Sequence, residues 1–248
     1  MKVPTSVLEV LDRAETDGQR LVLTGTLDRK LYTDTAKVLE LAGGKWNRAA
    51  KAHLFDGDAA DAIEQVILTG QVVSTKQQFG YFPTPAPIVQ QLIELADLKP
   101  GMTVLEPSAG QGAIASAAAA TGAVVDCIEL QESNATVIFD AEYANLILVR
   151  DFLTTDPGTG YDRVVMNPPF AKQDDIRHVL HAWQFLKPGG RLVAVMSNGV
   201  TFRSTPLTKE FWQLLDREDG ELLPLPEGAF KESGTGVNTI IAVIPKPA

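Results

Sequence analysis

The chain holds one cysteine, Cys127, and three histidines. A lone cysteine excludes an internal disulfide and any thiolate metal cage, and a reducing, cytoplasmic setting is the economical expectation. His53, His178 and His181 are too few and too scattered for a metal site; the last two would share a helix face, but no third ligand accompanies them. Long apolar runs are missing as well. A membrane-spanning helix needs ~18 or more apolar residues in succession, and the longest weakly polar stretch, Ile114 to Val125, is mostly alanine and too short. No membrane association is expected. Met1-Lys2-Val3-Pro4 lacks the apolar core of a secretory signal. Positive charge is scarce too: 22 Lys+Arg stand against 31 Asp+Glu, a net charge of −9. Duplex-DNA binders usually carry a basic footprint, and the chain as a whole has none.

What is present is ordinary globular material. The 248 residues, 45% hydrophobic and 21% charged, suffice for one large or two modest domains with a real core. The charge is uneven. Residues 1–81 hold 10 Lys+Arg and 11 Asp+Glu, net −1, whereas residues 82–248 hold 12 and 20, net −8. Between Arg29 and Lys51 six bases meet only Asp34 and Glu40. Any nucleic-acid contact is therefore expected in the N-terminal third.

No internal repeat is visible. A boundary is expected near Ser74–Gly80, which divides the chain into a small α+β module, 1–78, and a larger domain, 79–248. In the module, Val7–Ala14, Thr33–Leu41 and Asp58–Leu68 read as helices, and Leu21–Leu27 and His53–Phe55 as strands. Asp58 is placed to cap its helix and Gly70 to end it. From residue 86 strands and helices alternate: strands over Thr103–Glu106, Ala123–Glu129, Asn145–Val149, Asp162–Met166, Arg191–Met196, Glu221–Leu225 and Thr239–Ile244, with helices over Ile88–Leu98, Ala113–Ala120, Glu132–Tyr143, Asp174–Leu186 and Leu207–Asp216. Lys187-Pro188-Gly189-Gly190 reads as the closure of the helix before it. Such alternation predicts βαβ units and a mostly parallel, Rossmann-like sheet, with ligands beyond the C-terminal strand ends.

Two loops at those ends carry chemistry. The first, Leu105 to Ala113, joins a strand to a helix through Gly110 and Gly112, which let backbone approach a ligand without a Cβ clash; the helix start offers free N–H groups. The next strand ends in Glu129, which can accept hydrogen bonds from ribose hydroxyls. The third ends in Asp151-Phe152, which suit an adenine amino group and ring, or alternatively a helix cap and a core aromatic. Neither a phosphate-loop lysine motif nor a three-glycine fingerprint is present, so a cofactor with adenosine but no pyrophosphate fits. The second loop is Asn167-Pro168-Pro169-Phe170. Two prolines fix φ and remove two donors. The loop then presents acceptors: the Asn167 side-chain carbonyl and the Pro168 main-chain carbonyl. Two converging acceptors suit a planar NH₂ group, and Phe170 can stack on the ring that bears it.

On these residues the region from Phe82 to Lys246 resembles a class I S-adenosylmethionine-dependent methyltransferase, and within that class the N6-adenine DNA methyltransferases. Phe82-Pro83-Thr84-Pro85 is similar to that family's F-x-T-P element, and Glu106-Pro107-Ser108-Ala109-Gly110-Gln111-Gly112 to its glycine motif. The resemblance implies a seven-stranded sheet and the cofactor S-adenosylmethionine. It implies cofactor contacts from Phe82, Thr84, Pro85, Glu106, Pro107, Ser108, Gly110, Gly112, Glu129, Leu130, Asp151, Phe152 and Asn167, and catalysis by Asn167, Pro168, Pro169 and Phe170. Leu225 to Phe230, followed by Gly234-Thr235-Gly236, is similar to the late segment of modification subunits, which implies Phe230 as the second wall of a base pocket. The expected partner is DNA, offered as a flipped adenine or a single strand. Between Phe170 and Phe230 there is no room for a target-recognition domain, so relaxed sequence preference is expected, as in phage enzymes. Lys45, Trp46, Arg48 and Lys51 lie in a basic turn that could contact phosphates and stack on a base; the alternative is a core tryptophan with a solvated basic edge. N-P-P-[FY] also serves methylation of protein glutamine and of RNA bases, and an inactive binding protein of the same fold is the reading from another class.

Overall fold

The computed structural model describes residues 2–55, 58–72, 83–158, 160–233 and 236–248. Phe82, Gly234, Thr235 and the boundary sought at Ser74–Gly80 lie outside the described residues. The chain forms two compact units, one from Met1–Gly80 with Asn198–Thr205 and Gly236–Asn238, the other from Tyr81–Ser197, Pro206–Thr235 and Thr239–Ala248.

The first unit runs α1 (Thr5–Asp12), β1 (Glu15–Asp17), β2 (Arg20–Val22), α2 (Arg29–Leu41), β3 (Lys45–Asn47), β4 (Ala52–Leu54) and α3 (Ala59–Thr69). Its sheet is antiparallel, in the order β1-β2-β4-β3. Asp58 caps α3 by accepting from the Asp61 amide, and Gly70 ends it at φ 62°. The strand expected over Leu21–Leu27 stops at Val22, and β1 and β3 are additional. The α2 helix starts four residues before the expected Thr33, because Asp28 accepts from the Leu31 amide at 2.8 Å and caps it there. Gly44 is obligatory: a Cβ on it would lie 2.5 Å from the Phe55 ring, which belongs to the core with Leu11, Leu21 and Leu39.

Two short segments far along the chain complete this unit, which a division at residue 78 does not contain. Arg203, with its side chain 3% exposed, forms ion pairs with Asp12 at 3.4 Å and with Glu64 at 2.8 Å. The Asp12 carboxylate also accepts from the Ser204 amide. Burial raises the Asp12 pKa against the opposing Arg203 charge. Asn238 donates through its amide to the Leu68 carbonyl and through its side chain to that of Thr69, which occupies acceptors at the end of α3.

The second unit contains α4 (Ala86–Ala96), β5 (Thr103–Glu106), α5 (Ala113–Ala119), β6 (Val124–Glu129), α6 (Glu132–Asp140), β7 (Leu146–Val149), β8 (Tyr161–Met166), α7 (Asp174–Trp183), β9 (Leu186–Ser197), α8 (Pro206–Arg217), β10 (Glu221–Pro224) and β11 (Thr239–Pro245). Its seven-stranded sheet has the order β10-β11-β9-β8-β5-β6-β7. Only β11 runs against the others. The order reverses between β5 and β8, so the crevice for a ligand opens above those two strand ends. The expected α/β, mostly parallel sheet is thus present. Lys187–Gly190 is a correction: these residues lie inside β9 rather than closing α7. Gly189 adopts φ 75°, the pairing with β8 slips between Tyr161 and Arg163, and the Lys246 amide donates to the Gly190 carbonyl at 2.8 Å. Turn-type residues are tolerated in a strand where an irregularity absorbs them.

The buried triad yields a stability prediction. Replacing Arg203 by Met leaves Asp12 and Glu64 without their shared cation, and breaking a buried pair typically costs about 3–5 kcal/mol. Urea unfolding of Arg203→Met should show a clearly lower midpoint than wild type, and an unchanged midpoint would remove the triad from the unit's stability.

Candidate active site

Three strand ends meet at the crevice. The β5 strand delivers Glu106, and the chain then passes through Pro107–Gly112 into α5. The loop is held from the side by β6. Glu129, 8% exposed at the end of that strand, accepts from the Gly110 amide at 2.7 Å through one oxygen. Its other oxygen accepts from the Gln131 amide at 2.9 Å and from the Asn134 side chain at 3.4 Å. The Ala109 amide donates to the Ile128 carbonyl at 3.0 Å. Gly110 adopts φ 54°, which an L side chain strains to reach. Gly112, at φ 81°, is also constrained from within the fold: a Cβ there would lie 1.7 Å from the Tyr143 hydroxyl, which donates to the Gln111 carbonyl at 3.2 Å. Ser108 is half-buried, Pro107 buried and Leu130 exposed.

Glu106 is in the opposite condition from Glu129. It is 2% exposed and accepts from the Ala115 amide, but its Oε2 has no hydrogen-bond partner among the described residues. Burial raises its pKa well above the usual carboxylate value, the Ala115 bond opposes this, and the Glu129 charge adds to it. Burial thus disfavours the charged form of Glu106, whereas Glu129 is supplied with hydrogen-bond donors.

At the third strand end Asp151 serves as a cap and Phe152 is buried. Asp151 accepts from the Leu153 amide at 2.9 Å and caps a 3-10 turn. Phe152 is 3% exposed and packs against His178, His181 and Phe185 with centroids 5.6, 4.8 and 5.1 Å away. No face of it is open to cover an adenine. The two histidines are used locally: His178 Nδ1 pairs with the Asp174 carbonyl and His181 Nε2 with that of Thr155. No group of three metal-ligating side chains occurs among the described residues. Phe230 is fully buried at 0% exposure, so it presents no wall to a pocket.

The loop after β8 is built differently. Pro168 is buried, Pro169 exposed and Phe170 only 7% exposed. Asn167 donates through Nδ2 to the Thr84 hydroxyl oxygen at 3.0 Å. Its Oδ1 is shielded from solvent and has no hydrogen-bond partner among the described residues. A buried carbonyl left this way costs free energy, and such an atom calls for an explanation. Pro83 is anchored by the Ser233 hydroxyl at 2.6 Å, and Pro85 precedes α4. The link between Thr84 and Asn167 was not legible in the sequence, where the two residues lie 83 positions apart. In the N-terminal unit β3 and β4 pair as a hairpin with Trp46 opposite His53. Trp46 is 54% exposed, which removes the core alternative, and Lys45, Arg48 and Lys51 are exposed around it.

The raised pKa of Glu106 gives a prediction with a sign. Its unfolded value lies near 4.5; below that, the neutral acid carries no penalty, and the stability it contributes is lost as pH climbs toward the folded value. Glu106→Gln removes this titration. The variant's urea midpoint should gain on that of wild type as pH rises above about 4.5, and a gap that stays constant refutes the assignment.

Known proteins bear on this geometry. The chain is 28% identical over 176 residues to the "Probable ribosomal RNA small subunit methyltransferase A" of Methanosarcina mazei, a match over 68% of this chain and 64% of that protein. The type I restriction-modification system methyltransferase subunit from Streptococcus thermophilus aligns with a TM-score of 0.57 and 20% identity, over 90% of this chain and 56% of that chain. The 23S rRNA methyltransferase ErmE aligns with a TM-score of 0.52 and 18% identity, over 68% and 70% of the two chains. The chain thus spans less than two thirds of the curated relative and little more than half of the restriction-modification subunit. The family model described as "Methyltransferase small domain" matches residues 89–218, just over half of the chain. The chain belongs to this methyltransferase family, whose fold takes S-adenosylmethionine as its cofactor.

Proposed function

We propose that the protein methylates the exocyclic N6 amino group of adenine in DNA, with relaxed sequence preference. The observation that carries this reading is the buried, unspent Oδ1 of Asn167 at the end of β8. An amino group entering the crevice would donate one hydrogen to Asn167 Oδ1 and the other to the Pro168 carbonyl. Both acceptors draw the amine toward tetrahedral geometry and free its lone pair for attack. S-adenosylmethionine supplies the electrophilic methyl group. The residues that would hold it are the Pro107–Gly112 loop, fixed by Glu129, together with Glu106, Asp151 and Pro85. The left-handed Gly110 and the partnerless Glu106 Oε2 fit a ligand that lies over the loop and donates a hydrogen bond to that oxygen. No general base is required, because the amine can lose its proton to solvent after attack. Catalysis then rests on alignment and on the two acceptors.

DNA is favoured over other amine acceptors by the order of the elements, with F-x-T-P ahead of the glycine motif, and by the exposed Trp46 within a basic hairpin. The ribosomal RNA enzyme among the relatives supports a second reading, the same chemistry on an RNA base amine. Labelled cofactor offered with single-stranded DNA, duplex DNA and ribosomal RNA, followed by nucleoside analysis, separates the two; label in RNA alone would overturn the DNA reading.

Asn167→Ala should lower methyl transfer by at least about a hundredfold, as loss of one oriented polar group in a reaction site commonly does. Its affinity for S-adenosylhomocysteine, measured by calorimetry, should remain near wild type. More than about a tenth of wild-type activity, equivalent to only ~1.4 kcal/mol, would show that the loop is not catalytic.

The hairpin is tested by changing Lys45, Arg48 and Lys51 together to Ala. Each lost phosphate contact should lower the salt slope of DNA binding by ~0.9 for duplex or ~0.7 for single strands. A total decrease of roughly two to three units is expected. Wild-type affinity and slope in the triple variant would make the hairpin a solvated edge.

A further inference from the structure

The Pro83–Pro85 segment has been considered only as a cofactor contact, yet its threonine hydroxyl is engaged elsewhere. Thr84 Oγ1 accepts from Asn167 Nδ2 at 3.0 Å. The segment that carries it is itself fastened, because the Ser233 hydroxyl donates to the Pro83 carbonyl at 2.6 Å and Pro85 sets the start of α4. An asparagine carboxamide has two ends of similar shape and opposite function. With Nδ2 on Thr84, Oδ1 is the end left partnerless and shielded. Were the amide turned over, its NH₂ would face the acceptor amine, donor against donor, and the loop could not receive a hydrogen. Without a polar partner at position 84, rotation about the Asn167 side chain meets no hydrogen-bond penalty on that side.

We infer that Thr84 is a positioning residue for Asn167: it holds the carboxamide so that Oδ1 faces the amine to be methylated. This rests on the proposed methyl transfer to an amino group, and it gives Thr84 a role distinct from cofactor binding. The hydroxyl accepts with its oxygen, so a methyl group of equal size in its place removes the contact without opening space, while serine keeps it.

Thr84→Val and Thr84→Ser form the test, read on the full-length protein with the nucleic acid that wild type methylates. Thr84→Val should lower kcat by roughly ten- to a hundredfold, the cost typical of a misplaced catalytic group. Its calorimetric affinity for S-adenosylhomocysteine and its KM for nucleic acid should stay near wild type, and Thr84→Ser should recover most of the rate. In NMR spectra, the Asn167 side-chain amide signals, assigned by their loss in Asn167→Ala, should shift in Thr84→Val and hold in Thr84→Ser. Wild-type kcat in Thr84→Val overturns the inference, as do cofactor affinity falling in step with kcat and amide signals that do not move. If wild type methylates none of the acceptors, the proposed activity fails, and the NMR comparison still decides whether Thr84 holds Asn167.

Discussion

The bond from the Gly110 amide to the Glu129 carboxylate, 2.7 Å long, fixes the loop around which the larger unit is arranged. A glycine-containing loop between a strand and a helix has many conformations open to it. A buried carboxylate narrows them, because it must be given donors or neutralised. Glu129 receives Gly110 from one side and Gln131 from the other, so the ends of β5 and β6 are locked in register with the start of α5. The carboxylate expected to bind a ribose is thus also the clamp that shapes the cradle. Removing it would disturb loop and ligand together, and a loss of cofactor affinity at this position would not by itself measure a ribose contact.

The polar atoms around the crevice divide by whether they are satisfied. Glu129 and Asp151 use local backbone donors. Glu106 Oε2 and Asn167 Oδ1 have no partner among the described residues and are shielded from solvent. They sit at the ends of β5 and β8, the two strands between which the sheet order reverses. An isolated unsatisfied atom could be a local defect. Two of them on either side of the switch point lie where a parallel sheet of this kind binds its ligands. The shared location connects the sheet topology to the proposed chemistry.

Local signals were legible in the sequence and distant ones were not. The β5 strand matches Thr103–Glu106 residue for residue, and Asp58 and Gly70 bound α3, because caps and strand ends depend on a few neighbouring residues. Asp28 carried the same kind of signal for α2, but the exposed Arg29 and Lys30 masked it. Phe152 could not be assigned from its neighbours. Its surroundings are His178, His181 and Phe185, brought to it by α7 from across the sheet, and these decide that it is core. The same holds for Phe230. Lys187–Gly190 has the composition of a helix stop; hydrogen bonds of Gly189 and Gly190 to Lys246 carry the irregular start of β9 through them instead. At Gly112 the space beside the missing Cβ is taken by Tyr143, thirty-one residues later in the sequence, a constraint that no neighbouring residue signals.

The charge distribution bears on how a methyltransferase of this composition would hold a polyanion. Residues 82–248 carry a net −8, so long-range attraction of a polyanion to this part of the chain is unfavourable, and only short-range contacts remain there. Between Phe170 and Phe230 the chain is taken up by α7, β9, α8 and β10, which leaves no inserted element to read a sequence. On the proposed reading, the acceptors at the β8 end would distinguish an amino group from a carbonyl, and would do so for any base that can reach them. On the proposed reading, selectivity for the reacting group therefore belongs to Asn167 and Pro168, while hold on the phosphates is left to exposed bases such as Lys45, Arg48 and Lys51. On that reading, separating the two tasks reconciles an acidic sequence with a nucleic-acid substrate: the site would need to recognise only one NH₂ group, and the bases between Arg29 and Lys51 would supply the hold on phosphate.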